Sequence, residues 1–311
     1  MKKLRYAIGI DIGGTAIKYG ICSEKGDLIQ QDQVVSPSDA PNEIILNNLA
    51  DLINRALEFA RQENLSISAI GIGTPGCVDV QRGYLKGGTP NFKYWRDVAI
   101  ADFVKSRFDL PVFVDNDANV MAYGEFVYGA GRGKSYVICI TLGTGIGGGI
   151  ILNKEIYRGP FYAGAELGHI TIAYDGRPCN CGGRGCWERY GSANALIQDY
   201  NETNPDNFVR DAREIFDRAK EGESLAQQAI DRNAEYVGAG LASIINIFNP
   251  ELIIVGGGLS EAGEEYIQKI DKAAKQRSME NSRENVQIKA ALLGNKAGLL
   301  GAAALALKIL V

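Results

Sequence analysis

One histidine stands in the whole chain of 311 residues, and cysteine is held to six. Positive charge is not in excess: 33 Lys and Arg face 37 Asp and Glu, a formal charge of −4. No overall basic field therefore draws nucleic acid or anionic lipid, and neither is expected as a partner. Long hydrophobic runs are also missing. Ala297 to Val311 falls short of the roughly 20 residues that span a bilayer and, being rich in Gly and Ala, reads as a buried terminal helix. The start, Met1-Lys-Lys-Leu-Arg5, has the charge of a signal-peptide leader, but Asp11 soon interrupts the apolar stretch that follows, so no secretion is expected. What is present, 46% hydrophobic and 23% charged residues, is enough to build a core. The length favours two domains over one.

Cys22, Cys77 and Cys139 are scattered through apolar, strand-like runs, whereas Cys179, Cys181 and Cys186 crowd into eight residues. Three clustered thiols cannot pair off among themselves, which points to a reducing cytosol and a metal. The solitary His169 lies ten residues before Cys179. Three thiolates and one imidazole make a closed tetrahedral Zn²⁺ site, structural because no open position is left for water. The bland alternative is a buried histidine near unrelated thiols. Glu166 and Glu188 flank the cluster, and carboxylates suit the hydroxyls of a sugar.

Residues 6 to 35 read as strand, glycine turn, strand, turn, strand, with Asp11-Ile-Gly-Gly-Thr15 at the first turn. Asn42 to Asn64 has helical apolar spacing, Ala69 to Gly73 is a buried strand, and Val98 to Arg107 a second helix. The strand Val112 to Val114 ends in Asp115-Asn-Asp-Ala-Asn119 and enters a helix through Tyr128. The opening then repeats: Tyr136 to Ile140, the turn at Leu142-Gly-Thr-Gly-Ile-Gly147, and a strand to Leu152. Pro250 to Gly258, a buried strand ending in glycines, echoes Pro111 to Asn119. Residues 192 to 247 are largely helical. Two related α/β halves facing each other would form a cleft at their strand ends.

Two familiar phosphate motifs are excluded. Gly129 to Ser135 resembles the end of a P-loop, but Tyr128 occupies the first glycine position and a strand follows. Gly71 to Gly76 and Gly143 to Gly148 fit Gly-x-Gly-x-x-Gly, yet neither opens a helix as a dinucleotide fingerprint must. The two hairpin turns instead offer backbone N–H groups that phosphates can approach, because no Cβ intervenes. Asp11 adds a carboxylate for Mg²⁺, Thr15 a hydroxyl and Lys18 a phosphate partner, although a strand lysine is usually a solvated face. In Asp115 to Asn119 one residue caps the helix, and the surplus, Asn116 and Asp117, can meet a hydroxylated substrate. An aspartate beside a hydroxyl accepts its proton during phosphoryl transfer.

Taken with Gly73-Thr-Pro-Gly76, Gly164-Ala-Glu-Leu-Gly-His169 and Cys179-Asn-Cys-Gly-Gly-Arg-Gly-Cys-Trp-Glu188, these motifs resemble the ROK sugar kinases, most closely their glucokinase branch. The resemblance covers nearly the whole chain. It implies an actin-like (ribonuclease H-like) ATPase fold, with residues 1–118 plus 297–311 as a smaller domain and 119–296 as a larger one. It implies ATP as donor, Mg²⁺, structural Zn²⁺, a cytoplasmic homodimer or homotetramer, and transfer to the 6-hydroxyl of a hexose, glucose first. By the same resemblance Asp117 is the general base, while Gly76, Thr89, Asn91, Asn116, Glu166, His169 and Glu188 meet the sugar. His169, Cys179, Cys181 and Cys186 hold the metal, His169 also facing the sugar. Asp11, Gly13, Gly14, Thr15, Lys18, Gly143, Thr144, Gly145 and Gly147 hold the phosphates, and Gly256, Gly257 and Gly258 border the adenosine. Mannose, fructose, N-acetylglucosamine and N-acetylmannosamine are alternative acceptors, the loops 74–78 and 88–95 deciding among them. A sugar-responsive repressor is the rival from another class, disfavoured because the first strand starts near Tyr6 and leaves no room for a DNA-binding segment.

Overall fold

A glycine turn reverses the chain between two apolar strands near each of Gly13 and Gly143, and each reversal founds one sheet. The computed structural model describes residues 4–89 and 92–308. In the first sheet β1 (Tyr6–Ile12) runs antiparallel to β2 (Ala16–Ser23), which pairs with β3 (Leu28–Val35). On its other side β1 lies parallel to β4 (Ile67–Thr74), the neighbour of β7 (Val112–Asn116). A small hairpin, β5 (Cys77–Asp79) and β6 (Tyr84–Gly87), stands between β4 and β7 in sequence. The second sheet repeats the order: β10 (Glu155–Ile156), β9 (Ile146–Leu152), β8 (Val137–Leu142), β11 (Leu252–Gly256), β12 (Gln287–Ala290). Both are mixed sheets in a duplicated α/β architecture, the actin-like ATPase fold.

The register places the functional ends. Asp11 pairs with Lys18 one step before the first turn, as Thr141 pairs with Gly147 before the second. Asp11, Gly73 and Asp115 stand side by side across three parallel strands, so β1, β4 and β7 deliver their C-terminal tips to one edge.

Helix α1 (Asn42–Gln62) buries Ile45, Leu49, Leu52, Ile53, Ala56 and Ala60, a stripe of helical period, against the first sheet. After the short α2 (Ile100–Lys105) comes α3 (Asp117–Val127), capped by the Asn116 side chain, which accepts from the Ala118 and Asn119 N–H groups. Then follow α4 (Glu188–Gly191), α5 (Ala193–Thr203), α6 (Ala212–Lys220), α7 (Ser224–Phe248), α8 (Glu264–Arg277) and α9 (Glu280–Arg283). Helices α5 to α8 share a core with Ile138, Ile140, Ile253 and Val255 of the second sheet.

Helix α10 (Ala297–Lys308) is buried almost all round and ties the halves together. Its Leu300, Ala303 and Leu307 meet Ala7 and Cys22 of the first sheet, while Ala302 and Leu305 join Val120, Cys139 and Ile254. The crossing of α10 on α3 is close enough that a Cβ on Gly301 would lie 1.6 Å from the Val120 carbonyl oxygen. Only glycine fits there.

Two details differ from the sequence reading. The second helix is trimmed because Val98 pairs with Leu85 as an isolated bridge and leaves the helix to start at Ile100. Strand β11 is parallel to the central strand of its sheet, so its counterpart is β4; the counterpart of β7 is β12. The echo between 250–258 and 111–119 is one of composition, not of position. Among the described residues, no helix is long and apolar enough to cross a membrane.

Candidate active site

The strand tips, both glycine hairpins and the segment 164–188 enclose a cavity of about 670 Å³. Of the residues assigned to a sugar, Gly76, Thr89, Asn116, Asp117, Glu166, His169 and Glu188 all line it. Asn91 lies outside the described residues. Of those assigned to phosphates, Asp11, Gly13, Gly14, Lys18, Gly143, Thr144, Gly145 and Gly147 line the same cavity. Thr15 is exposed and not among its walls.

Asp117 opens α3, and its Oδ1 accepts the Ala118 N–H at 2.9 Å. Burial pushes its pKa up to about 6, and the carboxylates of Asp11 and Glu166 add to the rise while the Ala118 N–H opposes it. A carboxylate so tuned is largely ionised at neutral pH and still able to accept a proton. Burial likewise raises the Asp11 pKa, opposed by Lys18.

Asn116 is more committed than its motif implied. Its oxygen caps α3 and its amide donates to the Gly76 carbonyl at 3.2 Å, leaving one N–H for a ligand. That bond joins the turn after β4 to the tip of β7. The turn itself is braced by the buried indole of Trp95, which donates to Thr74 Oγ1 at 2.8 Å. The Thr89 hydroxyl oxygen, also at the cavity, is buried with no partner among the described residues.

His169, Cys179, Cys181 and Cys186 bring one ligand atom each to within 4.8 Å of one another. His169 Nδ1 is 3.8 Å from Cys179 Sγ, and the sulfurs of Cys181 and Cys186 are 3.5 Å apart. With metal–sulfur bonds of about 2.3 Å, a tetrahedral ion needs ligand atoms about 3.8 Å apart, so the donor set and its spacing fit zinc. Since Nδ1 faces the sulfurs, Nε2 is the ring nitrogen left for the cavity. Glu188 accepts from the Cys179 thiol at 3.1 Å, and its other oxygen lies 2.5 Å from where a Cβ on Gly145 would be. The glutamate thus lies between the sulfur cluster and the second hairpin.

Gly256, Gly257 and Gly258 do not line this cavity. Gly257, at φ 83°, packs on Leu142, and Gly258 borders a second cavity of about 530 Å³ with Ala193, Ile197, Arg210, Arg213 and Phe216. The Ala193 N–H donates to the Gly143 carbonyl at 2.8 Å, so this cavity adjoins the second hairpin.

Sequence reasoning missed Asn295 and Gly298. Lys18 Nζ donates to Asn295 Oδ1 at 3.2 Å, and a Cβ on Gly298 would lie 2.5 Å from Asp11 Oδ2. Asn295 sits in the turn just before α10 and Gly298 in its first turn, some 280 residues from their partners, and nothing local signals them.

Residues 7–309 match the family model described as ROK family. The glucokinase of Streptomyces coelicolor is 41% identical over 317 residues, covering 96% of each chain. The xylose repressor of Bacillus spizizenii is 33% identical, over 96% of this chain and 76% of that protein. The crystal structure of a ROK family glucokinase from Streptomyces griseus in complex with glucose and AMPPNP superposes with a TM-score of 0.83 at 38% identity, over 97% of this chain and 99% of that one.

Proposed function

The chain belongs to the ROK family, and from that premise we propose that it transfers the terminal phosphoryl group of ATP to the 6-hydroxyl of a hexose, glucose foremost. The protein is a sugar kinase of the glucokinase type. The observation that carries the assignment of roles is Asp117, a carboxyl with pKa about 6, lining one cavity with both glycine hairpins.

In the reaction the sugar O6 forms a bond to the γ-phosphorus while the bond to the ADP oxygen breaks, and the O6 proton passes to Asp117. Asn116, Glu166, His169 and Glu188 fix the other hydroxyls, with Gly76 and Thr89 beside them, so that O6 is held in line with phosphorus. Backbone N–H groups of the two hairpins, with Lys18, hold the phosphates, and the cavity beside Gly258 takes the nucleoside. Asp11 would hold Mg²⁺, which when bound neutralises phosphate charge. The His169, Cys179, Cys181 and Cys186 set would hold Zn²⁺, which fixes the loop and the orientation of the His169 ring. The same reading takes residues 1–118 with 297–311, and residues 119–296, as halves that close over the ligands, in a cytoplasmic homodimer or homotetramer.

ADP release measured across glucose, mannose, fructose and the N-acetylated hexosamines tests this. Sugar-dependent release, fastest with glucose, is expected. Release with none of these sugars would overturn the reading in favour of a non-catalytic sugar-responsive regulator, the role that the name of the repressor relative describes.

A further inference from the structure

Arg158 belongs to no motif, yet it joins two groups of cavity residues, its side chain bonding one and its backbone carbonyl the other. Its guanidinium donates to Asp115 Oδ2 from Nε at 2.9 Å and from Nη2 at 2.5 Å. Asp115 is 1% exposed, and its Oδ1 accepts the Asn116 N–H at 2.8 Å and the Asn119 amide at 3.1 Å. The carboxylate thereby holds the strand tip from which Asn116 and Asp117 project. At the same residue, the Arg158 carbonyl accepts the Gly164 N–H at 2.9 Å, closing the loop that leads directly into Glu166.

A buried ion pair gives little net stability compared with apolar packing, so stability alone does not account for this one. We propose that the Arg158 side chain is a positioning group for the sugar: through Asp115 it sets Asn116 and Asp117, while the backbone carbonyl of the same residue anchors the loop that carries Glu166. Arg158 does not itself line the cavity. The inference rests on the kinase reading only in taking a hexose as the ligand of those residues.

A lysine at this position keeps the charge but loses the planar fork, and glutamine removes the charge while keeping polar atoms. The test is calorimetric binding of glucose and, separately, of AMPPNP to the wild type, Arg158→Lys and Arg158→Gln, which requires no turnover. A failure of phosphoryl transfer would therefore be seen in the ADP assay and not here. The glucose Kd is expected to rise about tenfold or more in both variants, as loss of a charge-assisted contact from two donors to one carboxylate oxygen implies. The AMPPNP Kd stays within about twofold of wild type, an allowance of roughly 0.4 kcal/mol. A glucose Kd unchanged in both variants overturns the proposal, and so does an equal rise for both ligands, which marks general loosening.

Discussion

Replacing Asp117 by asparagine should stabilise the protein while disabling it. The wild-type carboxyl has a pKa of about 6 in the fold against 3.8 for an ordinary aspartate. At about 1.4 kcal/mol per pKa unit, holding it ionised in the folded state costs about 2–3 kcal/mol. The sign follows from the direction of the shift. A raised carboxyl pKa means the folded state binds the proton more tightly, so the cost is absent below the unfolded pKa and complete above the folded one. Asparagine cannot ionise, and its oxygen can still accept the Ala118 N–H. The variant's advantage should therefore be below about 1 kcal/mol near pH 4, grow through pH 4 to 6, and level off above. With about 2.1 cal/mol/K of unfolding entropy per residue, the plateau corresponds to a rise in Tm of about 3–5 °C. Thermal unfolding of the pair across this pH range, without ligands, reads the effect, and kcat should fall by about 10²–10⁴ or more. A Tm difference independent of pH, or a destabilised variant at neutral pH, would refute the argument that this carboxylate is held ionised against its surroundings.

Other consequences are read more simply. The acid limb of kcat/KM should fall with an apparent pKa near 6, set by Asp117 and shifted by its neighbours Asp11 and Glu166; a profile flat to about pH 5 contradicts the base assignment. Gly298→Ala favours the helix by up to about 1 kcal/mol but drives a methyl group into the Asp11 carboxylate. The Mg²⁺ needed for half-maximal rate should rise about tenfold with no loss of Tm, and an unchanged Mg²⁺ dependence would separate Asp11 from the metal. Cys181→Ser should lose bound zinc, stability and glucose affinity together, and elemental analysis finding no metal in the wild type removes the zinc assignment. Trp95→Phe deprives the buried Thr74 hydroxyl of its donor and should cost about 1–3 kcal/mol in urea unfolding.

Much of this was legible because its signals are local. A glycine turn between alternating apolar strands announces a hairpin, and two copies announce a duplication. Four metal-ligand residues within eighteen positions, one of them the sole histidine, announce a cluster, and the fold gathers them. What escaped depends on partners far apart in the chain. Arg158 reaches Asp115 across 43 positions and Lys18 reaches Asn295 across 277, and neither spacing follows from periodicity. Lys18, read as a phosphate partner although a strand lysine is usually a solvated face, is held at the cavity wall by that distant amide. Asn116 looked like a surplus polar group and is the helix cap itself, because Asp115 is consumed by Arg158. The position of β11 beside the central strand also had no local signature, since composition does not encode strand order.

The most direct measurement is product identification by phosphorus and proton NMR after incubation with glucose, ATP and Mg²⁺, for the wild type and Asp117→Asn side by side. Glucose 6-phosphate and ADP in equal amounts from the wild type, and neither from the variant, are the predicted result. ADP formed without sugar phosphate, phosphate carried on another hydroxyl, or full activity in the variant would contradict the account.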